Sequence, residues 1–382
     1  MLRIKPISET ELVMEFLETL RGILPKGWTV QEPERDVLWA SSSGSTRVNS
    51  LKEETPWLWA DLPEPRQRPR RVDAVLNIGA PSGEESRLVI EAKKKLDPRD
   101  VPTAIAQVRR DLNEPLLIVC PYVGPRTQQR LVEEGVGYAD ATGNLRLSLE
   151  RPALFIQTKG AVTDPWPLDR PLKSLKGPAA GRAVRALCDF RPPFRIRELA
   201  LRSKTALASL WRVVDLLDRE ALLQRKERGY IESIDWAGTI RRWTQDYAFP
   251  ASNSVRTYLE PRGLPVLLER LRQLKEPYAI TGSLAVPGET AVAPPRLGAV
   301  YVRAAATAAA GLELRASDSG ANVIVAEPFD RVVFERTSTR DGLVYAAPSQ
   351  VVADLLTSPG RGPAEAEALM SWMERNQDAW RT

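Results

Sequence analysis

Residues 70–95 read RRVDAVLNIGAPSGEESRLVIEAKKK, two apolar runs of strand length joined by a turn rich in Gly, Pro, Ser and Glu. This pattern predicts a β-hairpin with RRVDAVLNIG and SRLVIEAKK as its arms. A hairpin constrains its neighbours because side chains alternate across a strand, so a one-residue slip would turn every apolar group to the wrong face. The same alternation puts Glu91 and Lys93 on one face at the end of an apolar run. Asp73 lies in the other arm, 18 residues before Glu91. Antiparallel pairing brings all three to one end of the sheet.

The sequence around the hairpin alternates in the same manner. An amphipathic helix is expected over 8–22, a short strand over GWTVQEP, a helix over VPTAIAQVRRDL and a buried strand over PLLIVCPY. PRTQQRLVEEG reads as a short helix with Pro near its start and Gly after it. GYAD, NLRLSLE and ALFIQTKG read as short strands. Strands interleaved with helices predict a three-layer α/β domain. At 382 residues the chain exceeds one ordinary domain. Breaks are expected at the Ser-, Pro- and Arg-rich stretch 41–71, at the proline-rich 163–178 and, more softly, at 249–263. The domains drawn from them are 1–160, 171–250 and 255–382. No apolar run approaches the ~20 residues needed to span a bilayer. The first residues form an acidic amphipathic helix rather than a signal peptide. Cys120 and Cys188 sit in apolar contexts, as two buried thiols in a reducing cytoplasm would.

There is no histidine. Ser-His-Asp triads, histidine general bases and histidine-bearing zinc sites are therefore excluded. Any hydrolytic chemistry must use carboxylates, lysine and a hard cation held by oxygen, with Asp73 and Glu91 as its ligands. Lys93 on the same face would orient or deprotonate a water and offset phosphate charge. The competing reading is an exposed ion pair at a strand end, which contributes little.

The arrangement Asp73…Glu91-Ala92-Lys93 followed by a helix resembles the PD-(D/E)XK nuclease superfamily, with Val72 in the place of the proline common before the aspartate. The resemblance implies a restriction-endonuclease-like fold and Mg²⁺- or Mn²⁺-dependent cleavage of DNA, in restriction, repair or phage defence. It further implies that Glu15, on the first helix, matches the helix-borne acidic residue of many members. Gln107, in AIAQVRR, would match the polar residue on the helix after the lysine strand.

Charge is distributed unevenly. Residues 1–160 carry 23 basic and 23 acidic side chains, whereas residues 171–250 carry 16 and 9, net +7, and residues 251–382 carry 14 and 15, net −1. An excess confined to one segment is the footprint of a nucleic-acid module. AGRAVRALCDF, RIRELALRS and TALASLWRVVDLLDREALL predict three helices, and QRKERGYIESI a two-stranded wing with Gly229 at its tip: a winged helix-turn-helix. Ser203 or Thr205 is the expected N-cap of the recognition helix. That helix would present Lys204, Thr205, Ser209 and Arg212 to duplex DNA. Arg225, Lys226 and Arg228 would reach phosphates from the wing. A winged helix used for protein contacts is the alternative.

Two further stretches resemble AbiEi-type antitoxins and related bacterial regulators. One is PLLIVCPYVGPRTQQRLVEEGVGYADATGNLRL, with Gly135, Tyr138, Asp140, Gly143 and Asn144. Its physical reading is a turn in which Gly143-Asn144 takes positive φ between two strands. The other is 344–373, with Pro348, Gln350, Asp354, Leu355, Pro359, Gly360 and Arg361. There Gly360 and Gly362 are expected to close one helix and Pro363 to open the next. YAITGSLAV at 278–286 resembles the Gly-Ser start of nucleotidyltransferase-like domains, but no Asp-x-Asp follows, so the last part is expected to be a degenerate α+β scaffold. The antitoxin resemblance implies a non-cleaving transcriptional regulator, with a homodimer and a cognate toxin protein as partners beside double-stranded DNA.

Overall fold

The computed structural model describes residues 8–39, 70–109, 114–166, 174–226, 230–288 and 290–382. The stretch read as a loop at 41–71 falls almost wholly outside them, as do Arg228 and Gly229. The described chain is mixed α/β and divides into two compact units, Met1–Arg170 and Pro171–Thr382.

In the first unit, α1 (Glu9–Ile23) opens on a capping box in which Ser8 and Glu11 satisfy each other's backbone N–H groups. Its Leu12, Val13, Phe16, Leu17 and Leu20 form one buried stripe. β1 (Thr29–Val30) and β2 (Glu34–Trp39) follow each other along the same edge of β3 (Arg70–Gly79). β4 (Glu85–Ala92) completes an antiparallel meander with β2 and β3. Next come α2 (Val101–Arg109), β5 (Leu116–Cys120), α3 (Pro125–Glu133), β6 (Gly137–Asp140), β7 (Leu145–Leu149) and β8 (Leu154–Thr158). β4, β5 and β6 run parallel, and β7 and β8 return antiparallel. Alternation gives the sheet two cores. Leu88, Ile90, Leu117 and Val119 pack with α1. Val89, Ile118 and Cys120 pack with Val101, Ile105 and Val108 of α2.

The second unit begins with α4 (Pro178–Asp189), β9 (Phe194–Arg195), α5 (Ile196–Arg202), α6 (Leu207–Arg219), β10 (Leu223–Lys226) and β11 (Tyr230–Ile234). The three strands form one sheet in the order β10-β11-β9. After α7 (Trp236–Trp243) the chain enters a seven-stranded sheet built from β12 (Ser254–Leu259), β13 (Tyr278–Thr281), β14 (Gly298–Val302), β15 (Arg315–Ala316), β16 (Val323–Glu327), β17 (Ser338–Arg340) and β18 (Leu343–Tyr345). Helix α8 (Phe249–Ser252) precedes β12, α9 (Leu264–Gln273) and α10 (Ala305–Gly311) lie between the strands of this sheet, and α11 (Pro348–Leu356), α12 (Gly362–Arg375) and α13 (Gln377–Trp380) follow it. One core runs from Leu175 through α4, α5 and α6 to Met373. The soft break read at 249–263 is therefore no linker. Phe249 and Tyr258 are buried in that shared core, and β12 pairs with β16 inside the sheet.

Two other expectations are corrected. The helix expected to be the recognition helix, α6, begins at Leu207 with Ala206 as N-cap and no side-chain acceptor. Ser203 instead ends α5, and the Thr205 hydroxyl donates to the Ser203 carbonyl at 3.2 Å. The turn closes on Lys204, whose φ is +50°, and its hydroxyls are consumed inside it. At the other end of the unit, α11 stops at Leu356 with Thr357 as C-cap, so Gly360 closes no helix, and Gly362 is the first residue of α12.

Two buried polar clusters lie within the second unit. Arg185 of α4, fully buried, pairs with Asp189 at 3.1 Å and donates to Gln350 Oε1 at 3.0 Å and to the Glu335 carbonyl at 3.2 Å. Asp189 also accepts from Arg336 Nε at 2.6 Å and from the Ser349 hydroxyl. In the second cluster Asp354 accepts from Thr281, Tyr247, Tyr301 and Gln350 at 2.5, 2.7, 2.8 and 2.9 Å.

Candidate active site and nucleic-acid interface

The β3–β4 ladder ends at the pair Ala74↔Ile90. Beyond it the strands are joined by a side chain: the Ala92 N–H donates to Asp73 Oδ2 at 2.7 Å. Asp73 thus stands where a ladder carbonyl would, and its charge is fixed at the strand end. Glu91 is 8% exposed. Lys93 Nζ lies 2.5 Å from Glu91 Oε1. The Lys93 N–H donates to the Val119 carbonyl at 2.8 Å, which holds the residue against β5. Asp73, Glu91 and Lys93 are therefore brought together, as the hairpin register requires.

Burial holds the Glu91 carboxyl above its usual range. The Lys93 hydrogen bond opposes that rise, and the charges of Asp73 and of Glu9 add to it. Two carboxylates that repel each other beside one ammonium form a donor set suited to a hard cation. Soft or borderline metals find no ligand set, because histidine is absent and burial raises the Cys120 thiol to about 12. Among the described residues no group of three or more Asp, Glu or Cys converges on a metal position. The remainder of a Mg²⁺ or Mn²⁺ shell at Asp73 and Glu91 would be water and backbone carbonyls. The location suits a ligand: β4, β5 and β6 are parallel, and crevices for ligands form outside the carboxyl ends of such strands.

The residues expected to join from the helices sit differently. Glu15 of α1 opens on a pocket shared with Thr19, Asp140 and Asn144. Burial raises its carboxyl, and Glu18 adds to the rise. The helix-borne carboxylate whose charge reaches Glu91 is Glu9, in the first turn of α1, which the sequence reading passed over. Gln107 lies on the exposed side of α2. The Gly-x-x-Tyr-x-Asp-x-x-Gly-Asn stretch forms the β6–β7 turn. Asp140 accepts from the backbone N–H groups of Val123, Thr142 and Asn144 at 2.9, 2.8 and 3.1 Å. Gly143 has φ +96°, whereas Asn144 is not among the positive-φ residues. These hydrogen bonds make Asp140 a structural residue.

In α5, α6 and the β10–β11 pair, most of the cations expected to meet DNA already have partners. Lys204 Nζ lies 3.1 Å from Glu335. Arg225 lies 2.5 Å from Asp218 and 3.4 Å from Asp215, and its guanidinium stands 5.9 Å from the Trp211 ring centroid. Lys226 pairs with Glu232. Thr205 is buried and Ser209 half-buried. Arg212 is exposed on α6, with one weak contact to the Ser209 hydroxyl at 3.5 Å. Arg195 and Arg197 are exposed and carry no ion pair among the described residues, and the sequence reading did not single them out. Exposed pairs such as Lys204–Glu335 contribute about 0–1 kcal/mol, so a phosphate can displace the carboxylate.

No family model, no curated protein and no solved structure matches this chain.

Proposed function

We propose that the chain binds duplex DNA through its helix-turn-helix and hydrolyses a phosphodiester bond at Asp73, Glu91 and Lys93. The observation that carries this reading is the meeting of both carboxylates and the lysine at the end of the β3–β4 ladder. The order α1, three-strand antiparallel meander, α2, parallel β5 supports a restriction-endonuclease-like domain. Asp73 and Glu91 would hold Mg²⁺ or Mn²⁺, which would supply Lewis-acid chemistry at the phosphate. Lys93 offsets charge gathering on the phosphate and steers the attacking water. Glu91 keeps the Lys93 ammonium aimed into the site until substrate arrives.

The test uses Asp73→Asn, Glu91→Gln and Lys93→Met. Asparagine keeps an acceptor for the Ala92 N–H and removes only the charge. Wild type and variants are incubated with plasmid and linear DNA in Mg²⁺, Mn²⁺ or EDTA, with binding followed by gel shift. The expected result is metal-dependent cutting that each substitution lowers by about 100-fold or more while binding persists.

A second reading is favoured by the occupation of Asp73 and Lys93 by partners within the fold and by the lack of a third converging carboxylate among the described residues. In it the chain is a non-cleaving regulator of antitoxin type that uses the winged helix on an operator. Binding with no cutting in either metal selects it.

A further inference from the structure

The exposed face of α6 in its first two turns is apolar. Leu207 is 38% and Trp211 39% exposed, and Leu201, in the last turn of α5, is 82% exposed. Ala208 lies beside them on the same exposed side. The opposite side of α6 is buried through Leu210, Val213, Val214 and Leu217. Three of the nine exposed large apolar side chains among the described residues thus fall within 201–211. Clustered exposure of this kind marks a binding surface.

Its charge identifies the occupant. Arg212, on the same exposed side as Trp211, has no ionic partner among the described residues, and neither has Arg195 or Arg197 in the same module. The two carboxylates farther along α6, Asp215 and Asp218, are taken up by Arg219 and Arg225. An apolar stripe with free guanidiniums and neutralised acids suits a polyanion that carries apolar groups. In the major groove that group is the thymine 5-methyl. The first residues of a recognition helix are the ones that meet base edges.

We propose that Leu207 and Trp211 read thymine 5-methyl groups in the major groove, with Arg212 on the adjoining phosphates, so that the module prefers thymine-rich duplexes. This rests on the reading of the helix-turn-helix as a DNA-binding element. Arg225 then acts as a positioning residue, because it cancels Asp215 and Asp218 and stands against Trp211.

The experiment compares the full chain on three duplexes of equal length at low salt: alternating dA·dT, alternating dA·dU, and mixed sequence. Uracil removes the methyl and leaves the hydrogen-bonding edge unchanged. Affinity for dA·dU is expected to fall about fivefold or more relative to dA·dT. Leu207→Ala should shrink that ratio toward one. Trp211→Ala is the second variant, and circular dichroism checks that both fold. Equal affinity of wild type for the dT and dU duplexes overturns the proposal while DNA binding stands. Loss of self-association in Leu207→Ala, with both duplexes affected equally, overturns it in favour of a protein interface. No binding to any duplex refutes the DNA reading itself and this proposal with it.

Discussion

Replacing Asp354 by Asn tests whether the second unit tolerates a fully buried charge as its polar cluster implies. Asp354 is 1% exposed and accepts four hydrogen bonds, two on each oxygen. Burial nevertheless raises its pKa from 3.8 to about 6, against those four hydrogen bonds. The folded state therefore keeps a proton that the unfolded state has already released. Between the unfolded and the folded pKa the folded state binds more protons, so this group's contribution to stability falls as pH rises through that window and is lost above about pH 6. The full gap corresponds to about 3 kcal/mol, and about 2 kcal/mol of it lies between about pH 4.5 and pH 7.5. Asparagine does not titrate. It also turns an amide NH₂ toward two donors, which costs about 2–4 kcal/mol. Asp354→Asn is thus destabilising at both pH values, and less so at pH 7.5 by about 2 kcal/mol. Denaturant unfolding read by tryptophan fluorescence measures both, since Trp243 stacks on Tyr247 of the cluster at 4.6 Å between ring centroids. Equal destabilisation at the two pH values would refute the reasoning, because the four donors would then hold the charge without cost.

Two other outcomes follow from packing. A Cβ on Gly181 would meet Phe329 Cε2 at 2.5 Å and Trp243 Cζ2 at 3.5 Å, so Gly181→Ala should cost about 1–3 kcal/mol and loosen α4 from the segment that carries Phe329, measured by thermal unfolding. Cys120 and Cys188 are fully buried with thiols pushed up by burial, so neither should react with a disulfide reagent at neutral pH until denaturant is added, and a thiol titration checks this.

The candidate site was more legible in the sequence than the boundaries around it. Glu91 and Lys93 share a face by strand alternation, and the register of one hairpin sufficed to bring Asp73 to them. Glu9 escaped notice because its approach to Glu91 depends on how α1 lies across the sheet, which no local pattern encodes. The recognition helix was legible by its apolar stripe, but its start was misplaced by two residues. Ser203 and Thr205 are good cap formers, yet the Lys204 turn takes both hydroxyls into its own bonds. The break at 249–263 looked like a linker because Pro and Asn cluster there, whereas Phe249 and Tyr258 are core residues of the shared unit.

The same sharing changes what the basic excess of 171–250 means. Net +7 counts as surface charge available to DNA only if the segment is a separate body. In one compact unit with residues 251–382, part of that charge is spent inward and sideways. Arg182 pairs with Asp330 at 3.4 Å, Lys204 with Glu335, and Arg241 with Glu367 at 2.6 Å, while Arg191 pairs with Asp378. The acids of the last third are thus partly the counter-charges of the basic segment. Among the described residues from α4 to β11, the cations without an ion pair are Arg195, Arg197 and Arg212, with Lys204 released at small cost from an exposed pair. Three or four phosphate contacts give a log–log salt slope of about −3 to −4 on duplex DNA. A charge count over the segment alone would demand about twice that, so the slope measured by titrating salt against binding distinguishes surface charge from charge that holds the fold together.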